Sequence, residues 1–267
     1  MARPVITLTT DFGTRDPYVA SMKGVILSIC PGAVVVDVTH DVPKFNVRAG
    51  ALILAQASTW FPPGTIHVGV VDPGVGTRRR AIVVKARRYL FVGPDNGLLV
   101  LAARRDGLEA VYAVENEALF LPKVSRTFHG RDIFAPVAAR LALGLSPSEV
   151  GPEVSDYVVP SFAEPRAEGG VAIGEVMHID GFGNIITNIP EDLLKELGIS
   201  DGSRLSVRVG EHELKLRLCS AYGDVRPGSF LAIVDSWGML EVAMNLGSAA
   251  RALGVRPGDR VEVRPIG

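Results

Sequence analysis

The residues most suited to chemistry lie in a loop between two apolar runs, in the segment HVGVVDPGVGTRRRAIVV at residues 67 to 84. The loop holds Asp72, Gly74, Gly76 and the arginines at 78 to 80. Glycines let a backbone approach a ligand, and loops on a rigid scaffold are where binding groups concentrate. An acid beside arginines could bind a polar ligand or accept a proton from one. The pattern predicts a polar site at the end of a buried strand.

Histidine supplies a second candidate for catalysis. His129 lies in the polar segment TFHGRDIFAP, beside Arg131 and Asp132, where an imidazole could act as an acid or base. His40, by contrast, follows a strand and is interpreted as a structural group. The sequence has no histidine and cysteine spacing typical of zinc, no GxSxG elbow, and no histidine next to either cysteine. We therefore expect no metal site and no serine or cysteine nucleophile.

Two glycine-containing motifs resemble phosphate or metal sites only in part. Asp11 begins a DFG tripeptide, but no glycine-rich loop precedes it, so the kinase interpretation fails. A simple turn, or a carboxylate that receives ligand hydroxyls, both remain open for Asp11. The segment from Gly74 to Thr77 has no lysine of the kind that a P-loop requires. Nucleotide phosphate binding is therefore weakly supported.

The second half of the chain has two loops that could grip a small molecule. Asp180, Phe182 and Asn184 lie in IDGFGN, where an aromatic ring could stack on a nucleobase while polar groups read its edge. The same four residues GFGN would also make a good hairpin turn. A second loop contains Ser236, Trp237 and Asn245.

Alternating strands and helices must position these groups. We expect strands at residues 4–9, 33–38, 65–71 and 81–84, and helices at 17–30 and 46–60. This alternation predicts a largely parallel sheet, and ligands collect at the carboxyl ends of such strands. After a proline-rich connector at 147–170, short β-rich runs predict a small barrel or sandwich. We therefore expect an α/β domain at 1–167 and a smaller all-β domain at 168–267.

Composition narrows the classes of protein. The 267 residues carry 28 basic and 29 acidic side chains, a net charge of −1, which argues against a nucleic-acid partner. No apolar run reaches the roughly 18 residues that a membrane span needs, and no N-terminal signal pattern is seen. Cys30 and Cys219 lack CxxC spacing, which favours reduced thiols in a cytoplasmic protein, with a disulfide between them left open.

The chain resembles the S-adenosylmethionine hydrolases, which are related to the bacterial fluorinase and chlorinase. The resemblance rests, in order, on TTDFGTRDPYVASMKGVI, VDPGVGTRRR, FVGPDNG, TFHGRDIFAPVAA, IDGFGNIITNI and DSWGMLEVAMNLGSA. It implies an N-terminal α/β domain, a C-terminal β-barrel and a homotrimer, with the ligand between the first domain of one subunit and the second domain of its neighbour. It also implies cleavage of S-adenosylmethionine, the substrate, to adenosine and L-methionine by water or hydroxide attacking ribose C5′, without a cofactor.

The resemblance implies a role for each candidate residue. A water-activating set corresponds to Asp72, Arg79 and His129. The remaining matches bind substrate: Asp11 the ribose hydroxyls, Asp16 the methionine end, Asp180 and Ser236 the amino and carboxylate groups, Phe182 and Asn184 the adenine, with Asn245 in the adjoining loop. Arg78 and Arg80 are expected to be surface or interface charges.

Some positions depart from the halogenases and separate the alternatives. Where halogenases have a tyrosine and a halide-binding serine, this chain has Asp72 and Gly130. A charged Asp72 would repel a halide, and Gly130 offers no hydroxyl, so a hydrolase is favoured. Trp237 replaces an arginine, which weakens the expected grip on the methionine carboxylate. The alternatives are a halide-dependent adenosyl transferase and a sensor that binds adenosine or S-adenosylmethionine without turnover.

Overall fold

The structure is a computed structural model that describes residues 3–160 and 164–266. The chain divides into two compact units, Met1–Pro160 and Ser161–Gly267, each with its own hydrophobic core. This division comes a few residues before the position at 167 that composition indicated. Within the described ranges, no helix is long and apolar enough to cross a membrane.

The first unit is built on a sheet of strands β1 (Val5–Thr10), β2 (Val34–Thr39), β3 (Ile66–Val70), β4 (Ala81–Ala86), β5 (Leu90–Pro94) and β6 (Leu108–Ala113). Their order is β2-β1-β3-β5-β4-β6. β1 pairs in parallel with β2 and β3, and β3 with β5, whereas β4 is antiparallel to both neighbours. The predicted largely parallel α/β sheet is confirmed. β5 and β6 were not expected; in β5, Gly93 and Pro94 interrupt a short apolar run.

Helices cover both faces of this sheet: α1 (Tyr18–Ile29), α2 (Val47–Ser58), α3 (Val100–Asp106) and α4 (Ala135–Ala142). Ile6 and Leu8 of β1 share a core with α1 and α4. On the other face, Gly69 of β3 lies against Leu54 of α2, where a side chain would have little room. Asn46 caps α2, since its side chain accepts the Ala49 N–H at 3.0 Å.

The second unit contains β7 (Arg166–Glu168), β8 (Val171–Ile179), β9 (Ile185–Pro190), β10 (Arg204–Val209), β11 (His212–Cys219), β12 (Phe230–Val234), β13 (Met239–Met244) and β14 (Arg260–Pro265), with short helices α5 (Glu191–Glu196) and α6 (Ala249–Leu253). The strand order is β14-β10-β11-β12-β13-β9-β8-β7. β14 also pairs with β8, so β8 to β14 close into a barrel and β7 adds to the outside of β8. Closure removes exposed sheet edges, and the predicted barrel is confirmed.

Candidate active site

A cavity of about 380 Å³ lies in the first unit, where loops follow β1 and β3. Four of the predicted site residues line it: Asp11, Asp16, Asp72 and His129. The remaining lining residues are Phe12, Tyr18, Lys44, Phe45, Val70, Val75, Thr127, Phe128 and Gly130. The cavity therefore gathers chemical groups from loops far apart in sequence, as expected at the carboxyl ends of parallel strands.

Asp72, Arg79 and His129 form one connected cluster. The Arg79 guanidinium donates Nε to Asp72 Oδ1 at 3.1 Å and Nη2 to Asp72 Oδ2. The same Nη2 lies 3.2 Å from His129 Nδ1. The side chains of Arg79 and Asp72 are only 8% and 5% exposed, so this two-pronged ion pair is largely withdrawn from water. The structure thus brings together the three residues that the family resemblance implied as a water-activating set.

The contact with Arg79 decides the protonation of His129. A guanidinium has only donors, so His129 Nδ1 must accept and cannot carry a proton. Burial lowers the pKa of His129 below its ordinary value of 6.5, and the positive charge of Arg79 lowers it further. At neutral pH the imidazole is therefore neutral, with its proton on Nε2. The cation that belongs to this cluster is Arg79.

A local irregularity places His129. Residues Gly130–Phe134 form a π-helical turn before α4, a form often found at functional sites. The fully buried Asp132 holds this turn, since it accepts the Ser125 N–H at 2.8 Å and pairs with Arg131 at 2.6 Å. His129 therefore directly precedes the π-helical turn, and the contacts of Asp132 hold the backbone on its C-terminal side.

Gly76 joins the two loops of the cluster. Its φ is +75°, and a Cβ at this position would lie 2.2 Å from the carbonyl oxygen of Arg126. Glycine is needed here because the backbone of the Asp72 loop touches the backbone just before His129. The sequence interpretation, which gave both glycines to close approach of a ligand, is corrected: Gly76 serves a loop-to-loop contact. At Gly74 a Cβ would meet its nearest neighbour at an ordinary 3.6 Å.

Arg80 is a partly exposed charge, with 32% of its side chain accessible, and it pairs with two acidic residues. Its Nη2 donates to Asp95 Oδ2 at 2.8 Å and its Nη1 to Asp156 Oδ1 at 2.8 Å. Asp95 Oδ1 in turn accepts the Val158 N–H at 2.8 Å. This network fastens the segment around residues 156 to 158 to β5. Arg78 is exposed, as expected.

Asp11 is buried and held by the loop that precedes α2. Its Oδ2 accepts the Phe45 N–H at 2.8 Å, and Lys44 Nζ donates to its carbonyl oxygen. Asp16, in contrast, is exposed at the rim of the cavity. Sequence reasoning missed Lys44 and Phe45. The signal that could have indicated them is a cation followed by an aromatic residue, in a loop after a strand.

His40 supports the Asp11 loop from behind. Its Nδ1 lies 2.9 Å from Thr10 Oγ1, and its Nε2 lies 2.9 Å from Asp37 Oδ1. The carbonyl oxygen of His40 accepts the Gly13 N–H at 2.7 Å. His40 is buried and is not among the cavity-lining residues, in agreement with its interpretation as a structural group.

The second unit has its own cavity, of about 690 Å³. Its lining residues are Asp180, Gly181, Phe182, Asn184, Tyr222, Met244, Asn245, Leu246 and Gly247. Four of the predicted substrate-binding residues are thus brought together here. Ser236 is not among these lining residues; it is exposed in the turn between β12 and β13. Tyr222, Met244 and Leu246 were missed, because single apolar or aromatic residues in a short turn, at a strand end or in a loop carry no sequence signal.

Asp180 organises the loop on which Phe182 stands. Asp180 Oδ1 accepts the backbone N–H groups of Phe182 and Asn184, both at 2.9 Å, and Oδ2 accepts Asn184 Nδ2 at 3.0 Å. These bonds fix the orientation of the Asn184 amide. Phe182 is 83% exposed, so its apolar ring is accessible for stacking on a planar group of a ligand. A role of Asp180 toward a ligand amino group stays a prediction.

Neither cysteine is among the residues that line the two cavities. Cys30 and Cys219 are both free, buried thiols. Across the described ranges, no group of three or more His, Cys, Asp or Glu residues is placed to hold a metal ion.

Comparison with family models matches both units. Residues 6–151 match the SAM hydroxide adenosyltransferase N-terminal domain, and residues 174–262 match the C-terminal domain of the same family, where SAM is S-adenosylmethionine. Together these matches span most of the chain and both cavities.

Similar proteins include curated enzymes. The (R)-S-adenosyl-L-methionine hydrolase of Salinispora tropica is 46% identical, with 97% of each chain covered. The protein of that name from Thermus thermophilus is 41% identical over 98% of this chain and 99% of the relative. A fluorinase from an Actinoplanes species is more distant, at 30% identity over 97% of each chain.

Similar solved structures include an uncharacterized conserved protein from Thermotoga maritima, with a TM-score of 0.91 at 45% identity, covering 97% of this chain and 99% of that one. A conserved hypothetical protein from Thermus thermophilus gives a TM-score of 0.79 at 40% identity, with 99% and 100% covered.

Proposed function

This chain belongs to the SAM hydroxide adenosyltransferase family, and on that premise we propose that it hydrolyses S-adenosyl-L-methionine to adenosine and L-methionine. The observation that carries the proposal is the cluster of Asp72, Arg79 and His129, in which Asp72 and His129 line the first-unit cavity and Arg79 contacts both of them. A protein that only binds its ligand has no need for an acid, a cation and an imidazole joined in this way.

The limiting reactant in this reaction is the nucleophile, because neutral water attacks carbon weakly. The sulfonium sulfur of the substrate is already a good leaving group, so no acid has to protonate it. Water attacks C5′ in line with the C5′–S bond, the new C–O bond forms, and the bonding pair of C5′–S leaves with methionine sulfur. The attacking oxygen then loses a proton. No step of this scheme calls for a metal or an organic cofactor, and we propose that none is used.

The cluster suits this task. Arg79 places a positive charge where hydroxide character develops on water, which stabilises the transition state electrostatically. Asp72 and neutral His129 are the available proton acceptors and hydrogen-bonding partners, and positioned acid–base catalysis contributes about 10²–10⁴-fold. Because Arg79 already occupies His129 Nδ1, the imidazole offers its Nε2–H to the water as a donor. We therefore assign the proton-accepting role to the Asp72 carboxylate.

The substrate-binding assignments extend this proposal. Asp11, at the end of β1, would receive the ribose hydroxyls, and Asp16 at the rim would lie toward the methionine end. In the second unit, Phe182 and Asn184 would take the adenine, and Asp180, Ser236 and Asn245 the remaining polar groups. The cavities support the placement of these residues except Ser236, which lies outside the described lining.

A halide as nucleophile is disfavoured by the same cavity. Asp72 can accept a proton from an attacking water, whereas a halide has no proton to transfer, so this carboxylate assists water and gives a halide no assistance. Gly130 offers no hydroxyl, and a Cβ there would lie 3.2 Å from Met22 Sδ and 3.4 Å from Phe128 Cε2. A serine would therefore require Met22 to move.

We also propose a cytoplasmic homotrimer in which neighbouring copies share each substrate. Free thiols at Cys30 and Cys219 are typical of a reducing compartment. Supporting the shared site, the acid–base cluster and the exposed Phe182 line separate cavities. Light scattering should give three times the mass of one chain. Mixed refolding of Asp72→Ala with Phe182→Ala should restore part of the activity, and a monomer with full activity would contradict the trimer.

Product analysis in ¹⁸O-labelled water tests the proposed reaction. The expected products are L-methionine and adenosine carrying ¹⁸O at its 5′ oxygen, with the same yield when chloride is in large excess. Accumulation of 5′-chloro-5′-deoxyadenosine without adenosine would instead establish a halogenase. Turnover at background that Asp72→Ala leaves unchanged would establish a binding protein.

A further inference from the structure

A buried carboxyl group is hydrogen-bonded to a residue that lines the second-unit cavity, and the proposed reaction does not use it. Glu241, in the middle of β13, is 3% exposed. Its partners in the sheet are Ile233 of β12 and Ile186 of β9, neither of which can neutralise a charge. Burying a carboxyl group costs free energy unless it is hydrogen-bonded, so its bonding partner indicates its role.

That partner is Tyr222, which lines the cavity. Tyr222 Oη donates to Glu241 Oε1 at 2.9 Å. The tyrosine lies on the single turn Tyr222–Asp224, lines the cavity and is 44% exposed, and its hydroxyl reaches Glu241 on the face of β13 that points away from the barrel core. Asp224 holds the backbone of this turn by accepting the N–H groups of Ser220 and Ala221, both at 3.1 Å. The bond to Glu241 fixes the ring itself relative to β13.

The charged surroundings make this bond sensitive to pH. Burial raises the pKa of Glu241 most strongly, the Tyr222 hydroxyl lowers it, and the negative charges of Asp180 and Asp235 raise it, with a result of about 7. Burial and the bond to Glu241 also raise the pKa of Tyr222, so the tyrosine keeps its proton. Near neutral pH, Glu241 therefore exchanges between its charged and neutral forms.

The strand β8 contributes one further titratable group. His178 pairs with Ile186, which pairs with Glu241 on its other side, so the two lie in the same row of the sheet with one residue between them. Burial lowers the pKa of His178, and it is neutral at pH 7. His178 therefore adds no charge opposite Glu241 in the neutral range.

We propose that Glu241 is a positioning residue: it holds the Tyr222 ring as a wall of the second-unit cavity, and so strengthens substrate binding without touching the substrate. The proposal rests on the proposed function for the identity of that substrate. A carboxylate accepts a stronger hydrogen bond than a neutral carboxyl group, so the ring is held best when Glu241 is charged. Affinity should therefore increase as pH rises through about 7.

Three variants separate positioning from general stability. Glu241→Ala removes the acceptor and should raise KM about tenfold at pH 8, with kcat within about twofold. Tyr222→Phe removes the donor and should have a similar effect. Glu241→Gln keeps the shape and an uncharged acceptor, so its KM should be raised only a few-fold and should not change between pH 6 and 8. Wild-type protein at pH 6 should resemble this variant.

A double-mutant comparison and a matched control complete the kinetic test. Because both changes break one bond, Glu241→Gln combined with Tyr222→Phe should be no worse than Tyr222→Phe alone. Glu213→Gln is the control, because Glu213 also accepts a hydroxyl on the barrel, from Ser206 at 2.8 Å, and is not among the cavity-lining residues. Its KM should match wild type. Multiplicative effects of the two changes, or a wild-type KM and pH profile in Glu241→Ala, would overturn the proposal.

Two measurements are independent of turnover. Titration of ¹³C-labelled glutamate carboxyl groups should give Glu241 a midpoint near 7, and this midpoint should rise in Tyr222→Phe because the lowering hydrogen bond is lost. Calorimetry with adenosine as the probe should show the same fold-changes in Kd as in KM. Absence of S-adenosylmethionine cleavage by wild type would overturn the proposed function alone. Unchanged adenosine Kd in Glu241→Ala and Tyr222→Phe would overturn the positioning role alone.

Discussion

The two cavities are built from different interactions. In the first unit, the groups are ionic and already paired: Arg79 holds both oxygens of Asp72 and contacts His129. In the second unit, Asp180 accepts hydrogen bonds within its own loop, and the same loop carries the exposed ring of Phe182. A preorganised charge cluster is suited to stabilising a transition state, whereas apolar rings and amides are suited to recognition. The difference predicts that the first cavity governs kcat and the second governs KM.

One feature is common to both rims. Phe45, at the first cavity, and Leu246, at the second, have φ of 63° and 53°, a conformation that favours glycine. Both are exposed apolar residues that line their cavities. Strain of this kind is retained mainly at functional sites, because selection for stability alone would replace such residues. The two rims therefore hold apolar side chains in place at a cost to the fold.

The largest effect should come from the ion pair of the first cavity. Asp72→Asn should lower kcat by about 10²–10⁴-fold with little change in KM, because an amide cannot accept the proton of water. Steady-state kinetics with S-adenosylmethionine measures both constants. Asp95→Asn is the matched control, since Asp95 pairs with the neighbouring Arg80 and is not among the cavity-lining residues. Equal loss of kcat in both variants would show that the loop needs its ion pairs only for folding.

In the second cavity, Phe182→Ala should raise KM about tenfold and leave kcat nearly unchanged, because stacking of an aromatic ring on a base contributes about 1–3 kcal/mol to binding. Trp60→Ala serves as control: Trp60 is also an exposed aromatic residue, and it is not among the described lining of either cavity. A large fall in kcat for Phe182→Ala would contradict the assignment of kcat to the first cavity and of KM to the second.

The pH dependence of kcat should be set in the first cavity, and that of KM in the second. Because the pKa of His129 is lowered below 6.5, its neutral form predominates at pH 7, and protonation would set a second cation against Arg79. We expect kcat to be flat above pH 6.5 and to fall as pH decreases further, while KM changes around pH 7 through Glu241. Full pH profiles of both constants measure this. A kcat that still rises between pH 7 and 8 would contradict the neutral His129.

The smallest effects should come from the strained rims. Phe45→Gly and Leu246→Gly should each raise the free energy of unfolding by about 1 kcal/mol, because a left-handed backbone costs a non-glycine residue about that much. Each should also weaken substrate binding a few-fold. Leu143→Gly is the control, since Leu143 is exposed but has φ of −85°, and it should lose stability in denaturant titration. Destabilised rim variants would show that the two side chains hold the fold together.

Sequence alone was sufficient where local pattern decides structure. The spacing of Val19, Met22, Ile26 and Ile29 predicted α1; the first three are its buried residues, and Ile29 is partly buried. Alternating strands and helices predicted the parallel sheet, and short β-rich runs predicted a barrel or a sandwich, of which the structure shows the barrel. Residue types indicated a polar loop with Asp72 and a candidate acid or base at His129, and the resemblance of the ordered motifs to a known family implied that Asp72, Arg79 and His129 form one set.

Only the tertiary structure decided how those residues act. Arg79 and Arg80 are adjacent and alike in sequence, yet one reaches Asp72 in the cavity and the other reaches Asp95 and Asp156. The Tyr222–Glu241 bond joins residues on separate elements, and no local spacing marks it. Sequence determines which groups are available, because side-chain chemistry is local. The fold determines their pKa values and partners, because burial and distance depend on segments that are remote along the chain.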